Sequence, residues 1–352
     1  MSMTFESWLH GQWAERGAFA WALSPLSLLF MAISRARMRR IKPVEIPVPV
    51  VVVGNIYVGG TGKTPITIQL VRELRNAGWT PGVVSRGYGR KSSGLRLVTQ
   101  QSLASDVGDE PLLIALSTDC PVAVGSDRVC AAKMLLAQHP EINVIVSDDG
   151  LQHVHLARDV ELAVVGARGL GNGWVLPAGP LREPPSRLDS VDAIILNATQ
   201  ETVTSRTPRF AATSQVGEAV QLCSGKRRDI DDLSHRIAEK EAKCWAAAGI
   251  AAPGRFFDML RAHDLNPSTL DLGDHFGFEH NPFAHLECDY IFITGKDAVK
   301  CRSIAEIAND ERIWVVALEM HLDPFLTELV LEKITKAAQH KKSAVPEFDL
   351  KL

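Results

Sequence analysis

The sequence predicts an α/β protein: a mostly parallel sheet with helices on both faces, joined by a β-strand linker to a second, smaller α/β domain. Three observations support this fold class. Apolar, β-branched runs alternate with helical segments through residues 43–200, which indicates β–α–β units and a parallel sheet. Residues 199–225 are then polar and β-rich, without a long helix. A second alternating unit follows, so the smaller domain with its linker strands is placed at 201–340.

The composition is that of an ordinary globular chain. Its 352 residues, 46% of them hydrophobic, suit one large or two medium domains. A net charge of −3 gives no reason to expect a nucleic-acid partner. The six cysteines are scattered without CxxC spacing, so neither a zinc site nor a disulfide framework is indicated. Nothing in the sequence indicates an obligate protein partner.

Residues 1–42 are predicted to form a membrane-associating helical segment. Residues 18–33 carry no charge, and a basic cluster follows them at Arg35, Arg37, Arg39, Arg40 and Lys42. The run is shorter than the roughly 20 apolar residues of a membrane-spanning helix, and Pro25 would kink it. An apolar segment beside a basic cluster suits the interface of an anionic membrane. The alternative is an ordinary core helix with a solvated end.

Six strands are predicted in the first domain. The first, 48–54, is a continuous β-branched run typical of a buried parallel strand, and a helix over 65–76 follows it. The other strands are predicted over 80–85, 120–126, 142–150, 160–167 and 191–197. The last helix of the smaller domain is expected to pack back on the first domain.

The loop YVGGTGKTP, between the first strand and its helix, has the features of a phosphate-binding loop. Its glycines let backbone amides converge on an anion, and the start of the helix adds its dipole. Lys63 can reach the β- and γ-phosphates, and Thr64 can ligate Mg²⁺. The common pattern has glycine where this chain has Tyr57, so the loop takes the form GGxGKT. We therefore predict a P-loop NTPase-like first domain that binds nucleotide through Gly59, Gly60, Thr61, Gly62, Lys63, Thr64 and Pro65.

The segment VIVSDDG supplies the acidic partner that such a loop needs. Asp148 and Asp149 end a predicted strand, where a carboxylate can hold Mg²⁺ directly or through water. The alternative is an Asx turn before Gly150. Beside the phosphate loop, the magnesium interpretation is favoured.

The reaction has to be inferred from other residues, because a phosphate loop binds nucleotide whatever the protein does. In VGDEP, Asp109 could accept a proton from an acceptor hydroxyl. Helix capping by Asp109 or Glu110 is the alternative. Arg128 could neutralise charge on the transferred group, or it could be a solvated helix arginine. The residues alone leave these alternatives open.

Two loops and two groups of histidines complete the candidates. SRGYGRK, which contains Tyr88, suits an anionic or sugar-bearing ligand. The long Gly/Pro-rich segment 169–184 contains Arg182 and Glu183 near its end, and this pair could face the nucleotide or form a surface salt bridge. His153 and His155 lack further ligands at metal spacing, so packing is favoured. His275, considered alone, would be an ordinary structural histidine.

Taken together and in order, VGNIYVGGTGKTP, VSRGYGR, VGDEP, SDDGLQH and GNGWVLPAGPLREP resemble the motifs of the tetraacyldisaccharide 4'-kinases, the lipid A 4'-kinases of Gram-negative bacteria. The resemblance runs from about Trp8 to the last helix. It implies transfer of the γ-phosphoryl group of ATP, with Mg²⁺, to the 4'-hydroxyl of tetraacyldisaccharide 1-phosphate. It also implies a peripheral enzyme at the cytoplasmic face of the inner membrane, with its site in the cleft between two α/β/α domains.

The resemblance also implies roles for individual residues. Asp109 is similar to the family's catalytic base, and His275 to its partner from the second domain. Lys63 and Arg128 match phosphate-stabilising residues. It implies a metal-binding role for Thr64, Asp148, Asp149 and Glu183. It implies that the site is lined by Tyr88, Glu110 and Arg182. The chain departs from the family at Gly295, where glutamate is usual, and at Phe276, where histidine or tyrosine is common.

The alternative function is an ATP-driven membrane scaffold or positioning ATPase with a GGxGKT loop. Such proteins often carry a lysine before the double glycine, where this chain has Val58. A GTPase is disfavoured because the base-reading N/TKxD pattern is absent: Lys296 and Asp297 are adjacent.

Overall fold

The computed structural model describes residues 5–199, 203–274 and 276–344, and over these the chain forms one continuous mixed sheet of thirteen strands. The strands are β1 (Val50–Gly54), β2 (Pro81–Ser85), β3 (Arg96–Val98), β4 (Val122–Val124), β5 (Val144–Asp148), β6 (Val160–Val165), β7 (Ala193–Asn197), β8 (Arg209–Gln221), β9 (Arg227–Asp229), β10 (Cys244–Ala248), β11 (Ser268–Asp271), β12 (Tyr290–Thr294) and β13 (Ile313–Leu322). Their order is β11-β10-β12-β13-β8-β7-β6-β1-β5-β2-β4-β3, and β9 pairs with β8.

The helices flank this sheet. They are α1 (Phe5–Gln12), α2 (Ala18–Arg40), α3 (Lys63–Asn76), α4 (Ala104–Val107), α5 (Asp109–Thr118), α6 (Arg128–Gln138), α7 (Ile230–Glu239), α8 (Pro253–Arg261), α9 (Gly295–Cys301), α10 (Ala305–Ala308) and α11 (Pro324–Ala344), with a 3-10 helix at Pro185–Ser190. The predicted fold class, a mostly parallel sheet with helices on both faces, is confirmed.

Alternate residues of β1 face two separate apolar clusters, one on each side of the sheet. Val51 and Val53 face one apolar cluster with α3, α5 and α11, whereas Val50 and Val52 face another with α6 and the loops after β5. All five residues of β1 are buried, as a parallel strand covered on both faces requires. The start of α3 is therefore held rigidly at the carboxyl edge of the sheet.

The two parts of the sheet run in opposite directions. Strand β8 is parallel to β7 on one side and antiparallel to β13 on the other. The ladder between β8 and β13 shifts register between Val316 and Leu318. The long strands β8 and β13, of which β8 lies in the predicted linker region, connect the first half of the sheet (β1–β7) to the second half (β10–β13).

The six strands predicted for the first domain are all observed within their predicted bounds. The short edge strand β3 was not predicted, because three residues carry too little alternation to be recognised. The predicted helix over 65–76 begins earlier, at Lys63, because Gly62 takes a left-handed conformation with φ of 80° and ends the loop there. Pro65 fits inside the first turn, where an amide hydrogen is not needed.

Helix α11 returns to the first half of the sheet. Leu326, Val330 and Ile334 are fully buried in the same cluster as α3. Near its end, the Lys341 ammonium lies 3.0 Å from Asp159 Oδ2. The last part of the described chain is thus joined to the nucleotide half.

Helix α2 is longer than the predicted apolar run, since it continues through Pro25 to Arg40. The proline leaves the Trp21 carbonyl without its helical partner, and the Ser24 hydroxyl donates to that carbonyl at 2.9 Å instead. The expectation of a segment too short to span is therefore corrected: among the described helices, α2 is long and apolar enough to cross a membrane, judged by length and composition.

Candidate active site

The phosphate loop connects β1 to α3, and the side chains of Asn55 and Asn197 donate to its backbone carbonyls. Asn55 Nδ2 donates to the Tyr57 carbonyl at 2.8 Å, which folds the loop back on itself. Gly59 and Gly62 both have positive φ, at 101° and 80°. A β-carbon at Gly62 would collide with the amide of Asn197, so glycine is required there. The loop has the predicted cradle form.

Tyr57 stands where the common pattern has glycine, and the structure gives the reason. Its side chain is buried in the core cluster beneath the loop. The backbone around it pairs with the segment near residue 181, and the Val58 amide donates to the Pro180 carbonyl at 2.9 Å. The aromatic ring therefore supports the loop from below and leaves the cradle to the glycines.

A polar chain joins the phosphate loop to the second half of the sheet. Asn197, at the end of β7, donates from Nδ2 to the Thr61 carbonyl at 2.9 Å. Its Oδ1 accepts from both terminal nitrogens of Arg255 on α8, each at 3.3 Å. Arg168 adds a second link by donating to the Ala251 carbonyl at 3.1 Å.

Lys63 and Asp149 form the charged centre of the site. The Lys63 ammonium donates to Asn55 Oδ1 at 3.0 Å and lies 3.2 Å from Asp149 Oδ1. Arg182 approaches both oxygens of the same carboxylate at 3.4 Å. Burial disfavours ionisation of Asp149, but the cations of Lys63 and Arg182 outweigh it and hold the pKa of Asp149 below its usual value.

Asp148 is buried deeper, at the end of β5. It accepts from the Thr67 hydroxyl at 3.0 Å and from Ser85 at 3.5 Å. Burial raises the pKa of Asp148 to about 7, and the negative charges of Glu110 and Asp149 add to the shift. Asp148 is thus a carboxylate with too little positive charge around it.

Glu183 lies behind this centre and is connected to it by Gln152. Gln152 Nε2 donates to Glu183 Oε1 at 2.7 Å and to the Asn55 carbonyl at 3.0 Å. The other Glu183 oxygen lies 3.2 Å from Arg187 Nε. Both carboxylate oxygens of Glu183 are therefore engaged, and its metal role stays a prediction.

Asp109 is the first residue of α5 and is 7% exposed. The loop before it is close-packed: a β-carbon at Gly108 would lie 3.1 Å from the Gly87 Cα. Asp109 Oδ1 accepts from the Glu110 amide at 3.0 Å. Helix α5 packs with α3 in one apolar cluster, and the negative charge of Glu110 contributes to the raised pKa of Asp148, so the start of α5 is within electrostatic reach of the acidic end of β5.

Two lysines from the second half reach Asp109. The ammonium groups of Lys296 and Lys300, both on α9, each lie 3.9 Å from Asp109 Oδ2. Lys296 also lies 3.8 Å from Glu110 and 3.4 Å from Asp274. Burial lowers the pKa of Lys296, but these three carboxylates raise it above the usual value overall, so the side chain is charged at neutral pH.

Arg128 is the first residue of α6 and is almost fully buried. Its Nη1 donates to the Gly125 carbonyl at 3.2 Å, whereas Nε has no hydrogen-bond partner within the described part of the chain. Burial lowers the pKa of Arg128 to about 10, although Asp149 and Asp148 oppose the shift. The solvated-arginine alternative is therefore wrong.

His153 supports Arg128. Its Nε2 accepts from the Arg128 amide at 3.2 Å, and burial with the Arg128 charge lowers the pKa of His153 to about 4. The ring is therefore neutral. Tyr88 lies in the loop against Gly108 and is 65% exposed. His275 lies outside the described residues.

The residues around Lys63 fit a magnesium nucleotide. Thr61 Oγ1 is buried without a hydrogen-bond partner among the described residues, and burial raises the pKa of Asp148, whose ionised form a bound cation would stabilise. Within the described ranges, no group of three or more His, Cys, Asp or Glu could hold a metal by itself. Mg²⁺ commonly takes only one or two protein carboxylates together with substrate phosphates, so Thr64, Asp148 and Asp149 are a sufficient set.

Comparison with known proteins identifies the family. A family model described as Tetraacyldisaccharide-1-P 4'-kinase matches residues 19–335. The Tetraacyldisaccharide 4'-kinase of Janthinobacterium sp. (strain Marseille) is 49% identical over 340 residues, which cover 94% of this chain and 96% of that protein. This chain belongs to the tetraacyldisaccharide-1-phosphate 4'-kinase family.

Further relatives in this 4'-kinase family agree. The enzyme of Herminiimonas arsenicoxydans is 46% identical over 347 residues, covering 94% of this chain and 96% of that protein. A crystal structure of LpxK from Aquifex aeolicus in complex with ATP is similar with a TM-score of 0.75 and 26% identity, covering 90% of this chain and 99% of that one. The family resemblance predicted from the motifs is confirmed.

Several site residues of this family member were not predicted. Asn55 and Gln152 lie inside the quoted motifs, so adjacency to the glycine loop and to the acidic pair was an available signal. Asn197 follows an apolar strand, as polar residues at carboxyl edges do. Lys300 carried no local signal, since its role depends on a contact with α5.

Proposed function

We propose that this chain transfers the γ-phosphoryl group of ATP to the 4'-hydroxyl of tetraacyldisaccharide 1-phosphate, with Asp109 as the general base. The observation that carries the proposal is the position of Asp109. It begins α5, which packs with α3 in one core cluster, and α3 itself starts at Lys63, which lies 3.2 Å from Asp149. A buried carboxylate beside a phosphate cradle can accept the hydroxyl proton as the phosphoryl group moves. Family membership supplies the substrates.

The nucleotide is proposed to bind through the glycine loop. Gly59, Gly60, Thr61 and Gly62 offer backbone amides, and Lys63 holds the β- and γ-phosphates. Thr64, Asp148 and Asp149 would hold Mg²⁺. When bound, that ion neutralises charge on the phosphate oxygens. Arg128, whose buried Nε lacks a partner among the described residues, is suited to donate to the transferred group.

The remaining predicted site residues have supporting roles in this proposal. Arg182 orients Asp149 through its contacts at 3.4 Å. Glu183 holds Gln152, which supports Asn55 at the root of the loop. Tyr88 is exposed beside the Asp109 loop and is proposed to contact the sugar acceptor. His275 is proposed to act with Asp109 from the second half.

We also propose that α2 lies in the surface of the inner membrane, on its cytoplasmic side. Its exposed residues include Trp21, Leu26, Leu28, Leu29 and Ile33. One face is tied to the protein, where the Ser27 hydroxyl donates to the Val175 carbonyl at 2.9 Å and accepts from the Ala178 amide at 3.0 Å. A helix fixed at its middle to the body cannot stand across a bilayer. This supports a peripheral, monotopic placement.

The acceptor supports the same placement. A disaccharide with four acyl chains leaves the bilayer at a cost of about 0.8 kcal/mol for each exposed CH₂, so the enzyme has to work at the membrane surface. Between α2 and the segment after Arg182 lies a cavity of about 200 Å³, lined in part by Phe30, Met31 and Arg35. It would connect the lipid surface to the nucleotide site.

Label transfer tests the proposed function. Purified protein is incubated with γ-labelled ATP, Mg²⁺ and the acylated disaccharide 1-phosphate, and label is expected in the lipid phase. Lys63→Ala is expected to lose both nucleotide affinity and rate. The family comparison does not favour the alternative, an ATP-driven scaffold. ATP hydrolysis at full rate without acceptor, and no label in lipid, would support the scaffold instead.

A further inference from the structure

The face of α9 that looks across to α5 carries two lysines one helical turn apart. Lys296 and Lys300 have i,i+4 spacing, which places both on one side of a helix. The two helices approach closely there, since a β-carbon at Gly295 would lie 3.4 Å from Leu113 Cδ1 on α5. This packing presents both ammonium groups to the first residue of α5.

Lys300 is fixed by its own half of the sheet. Its ammonium donates to the Phe276 carbonyl at 2.9 Å and lies 3.7 Å from Asp297 Oδ1. Asp297 is fully buried and is itself held by the Gly249 amide at 3.0 Å and the Thr294 hydroxyl at 2.7 Å. The second half of the sheet therefore sets the position of the Lys300 charge.

Lys296 lies among carboxylates of both halves. Asp109 and Glu110 come from α5, and Asp274 comes from the loop after β11. Without cations, these acids would repel one another and the phosphates of a bound nucleotide. The contacts made by Lys296 and Lys300 offset that repulsion at the proposed base.

We propose that Lys296 and Lys300 are positioning residues that hold the Asp109 carboxylate ionised and oriented from across the cleft. The base is thus completed by both halves of the sheet. The inference rests on the proposed function, in which Asp109 receives the proton of the acceptor hydroxyl. Among the described residues, the charged groups that face this carboxylate are Lys296 and Lys300 of α9 and Glu110 of α5, with Asp274 behind Lys296.

A double-mutant cycle tests whether the lysines act through Asp109. Lys296→Met and Lys300→Met are each expected to lower kcat about tenfold, because the Asp109 carboxylate loses a contact that orients it toward the acceptor hydroxyl, with the KM for ATP within about twofold of wild type. Lys296→Arg is expected to restore most of the rate. In an Asp109→Asn background, Lys296→Met is expected to cost nothing further.

The matched control is Lys333→Met, which removes an ammonium paired at 2.8 Å with Asp192, away from the site. It is expected to leave the rate unchanged. If the Lys296→Met variant does not fold, Lys296→Gln takes its place. An equal loss of rate from Lys296→Met in the wild-type and Asp109→Asn backgrounds would overturn the inference.

A titration separates the inference from the proposed function, because it needs no turnover. The Asp109 carboxyl is followed by carbon NMR in nucleotide-free wild type and in Lys296→Met. Its midpoint is expected at higher pH in the variant, since one fewer cation stabilises the ionised form. An unchanged midpoint would refute the lysine role, even for an active kinase. Failure of label transfer in wild type would refute only the proposed function.

Discussion

The two oxygens of the Asp109 carboxylate have different partners. It begins a helix, where carboxylates commonly cap, and its Oδ1 accepts from the neighbouring Glu110 amide. Its other oxygen points to two cations of the second half. The contact with the Glu110 amide and the proposed catalytic role would use different oxygens of this carboxylate and do not exclude each other.

Substitution of Asp109 provides the first test. Asp109→Asn keeps the size of the side chain but removes its basicity, so we expect kcat to fall by about 10²- to 10⁴-fold, the range for a lost general base. Steady-state label transfer measures this. Asp119→Asn is the control, since Asp119 ends the same helix and is exposed. Full turnover of Asp109→Asn would show that the base is another residue.

The raised pKa of Asp148 predicts how the stability of the fold depends on pH. Its pKa is raised from 3.8 to about 7, so the folded protein keeps this proton where the unfolded chain has lost it. Between about pH 4 and pH 7 the folded state binds more protons, and this carboxyl therefore lowers the free energy of unfolding as pH rises through that window. Denaturant unfolding at several pH values is expected to show the slope in wild type and a smaller slope in Asp148→Asn.

The same group links metal binding to pH. Mg²⁺ requires the ionised carboxylate, so affinity for magnesium nucleotide is expected to rise toward pH 7 and to level off above it. Asp148→Asn is expected to bind more weakly and without this dependence, as measured by calorimetric titration. Asp264→Asn, at an exposed site with left-handed backbone that asparagine tolerates, is the control. Equal profiles in wild type and Asp148→Asn would contradict the assignment.

Helix α2 has one face packed against the protein and one exposed apolar face. Ala20 and Ser27, two helical turns apart, are buried against the protein, whereas Leu26, Leu28 and Leu29 are exposed. An amphipathic segment with arginines at its end suits an anionic lipid surface. The helix is thus held by polar contacts on one side and offers apolar area on the other.

Liposome binding tests the exposed side of α2. Leu28 and Leu29 are 64% and 57% exposed, so Leu28→Ser with Leu29→Ser is expected to leave the unfolding temperature nearly unchanged. Partitioning to anionic vesicles is expected to fall about tenfold or more, because burial of a leucine contributes about 1.5–3 kcal/mol. Phe325→Ser, at a residue 68% exposed on α11, is the control. Undiminished vesicle binding by the leucine variant would contradict the membrane proposal.

The opposite directions of the two half-sheets make the contact between their loops possible. Strands β8 and β13 are long and irregular in register. The second half is placed so that the loop after β10 meets the phosphate loop, and α9, which directly follows β12, meets α5. Asn197 and Arg255 connect these parts at the nucleotide end. The site is therefore built from both halves.

Arg255 tests this connection. Arg255→Met leaves the Asn197 and Ser214 side chains without their donor, so we expect the free energy of unfolding to fall by about 1–3 kcal/mol and ATP affinity to weaken severalfold. Denaturant unfolding and nucleotide titration measure the two effects. Arg261→Met is expected to change little, because Arg261, on the same helix, pairs with exposed Asp258 and with no other acid in the described part of the chain. Equal behaviour of the two variants would show that the bridge is unimportant.

Much of the nucleotide half could be predicted because its information is local. A β-branched run before a glycine loop predicts a buried strand and an anion cradle, and both are observed. Asp148 and Asp149 lie at the carboxyl end of β5, the strand that pairs with β1, where polar site residues of a parallel sheet are expected. The alternation of apolar runs predicted the strand positions, although three residues of β3 were too few to recognise.

Contacts between distant parts of the chain could not be predicted in this way. Backbone conformation and side-chain chemistry depend mainly on neighbouring residues, so the amino-acid order sets the phosphate loop, the acidic strand end and the apolar helix α2. The pairing of Lys296 and Lys300 with Asp109, and of Arg255 with Asn197, depends on how β8 and β13 fold one half-sheet onto the other. Only the tertiary structure decides that packing, because the free energy of such contacts is gained when both halves are already in place.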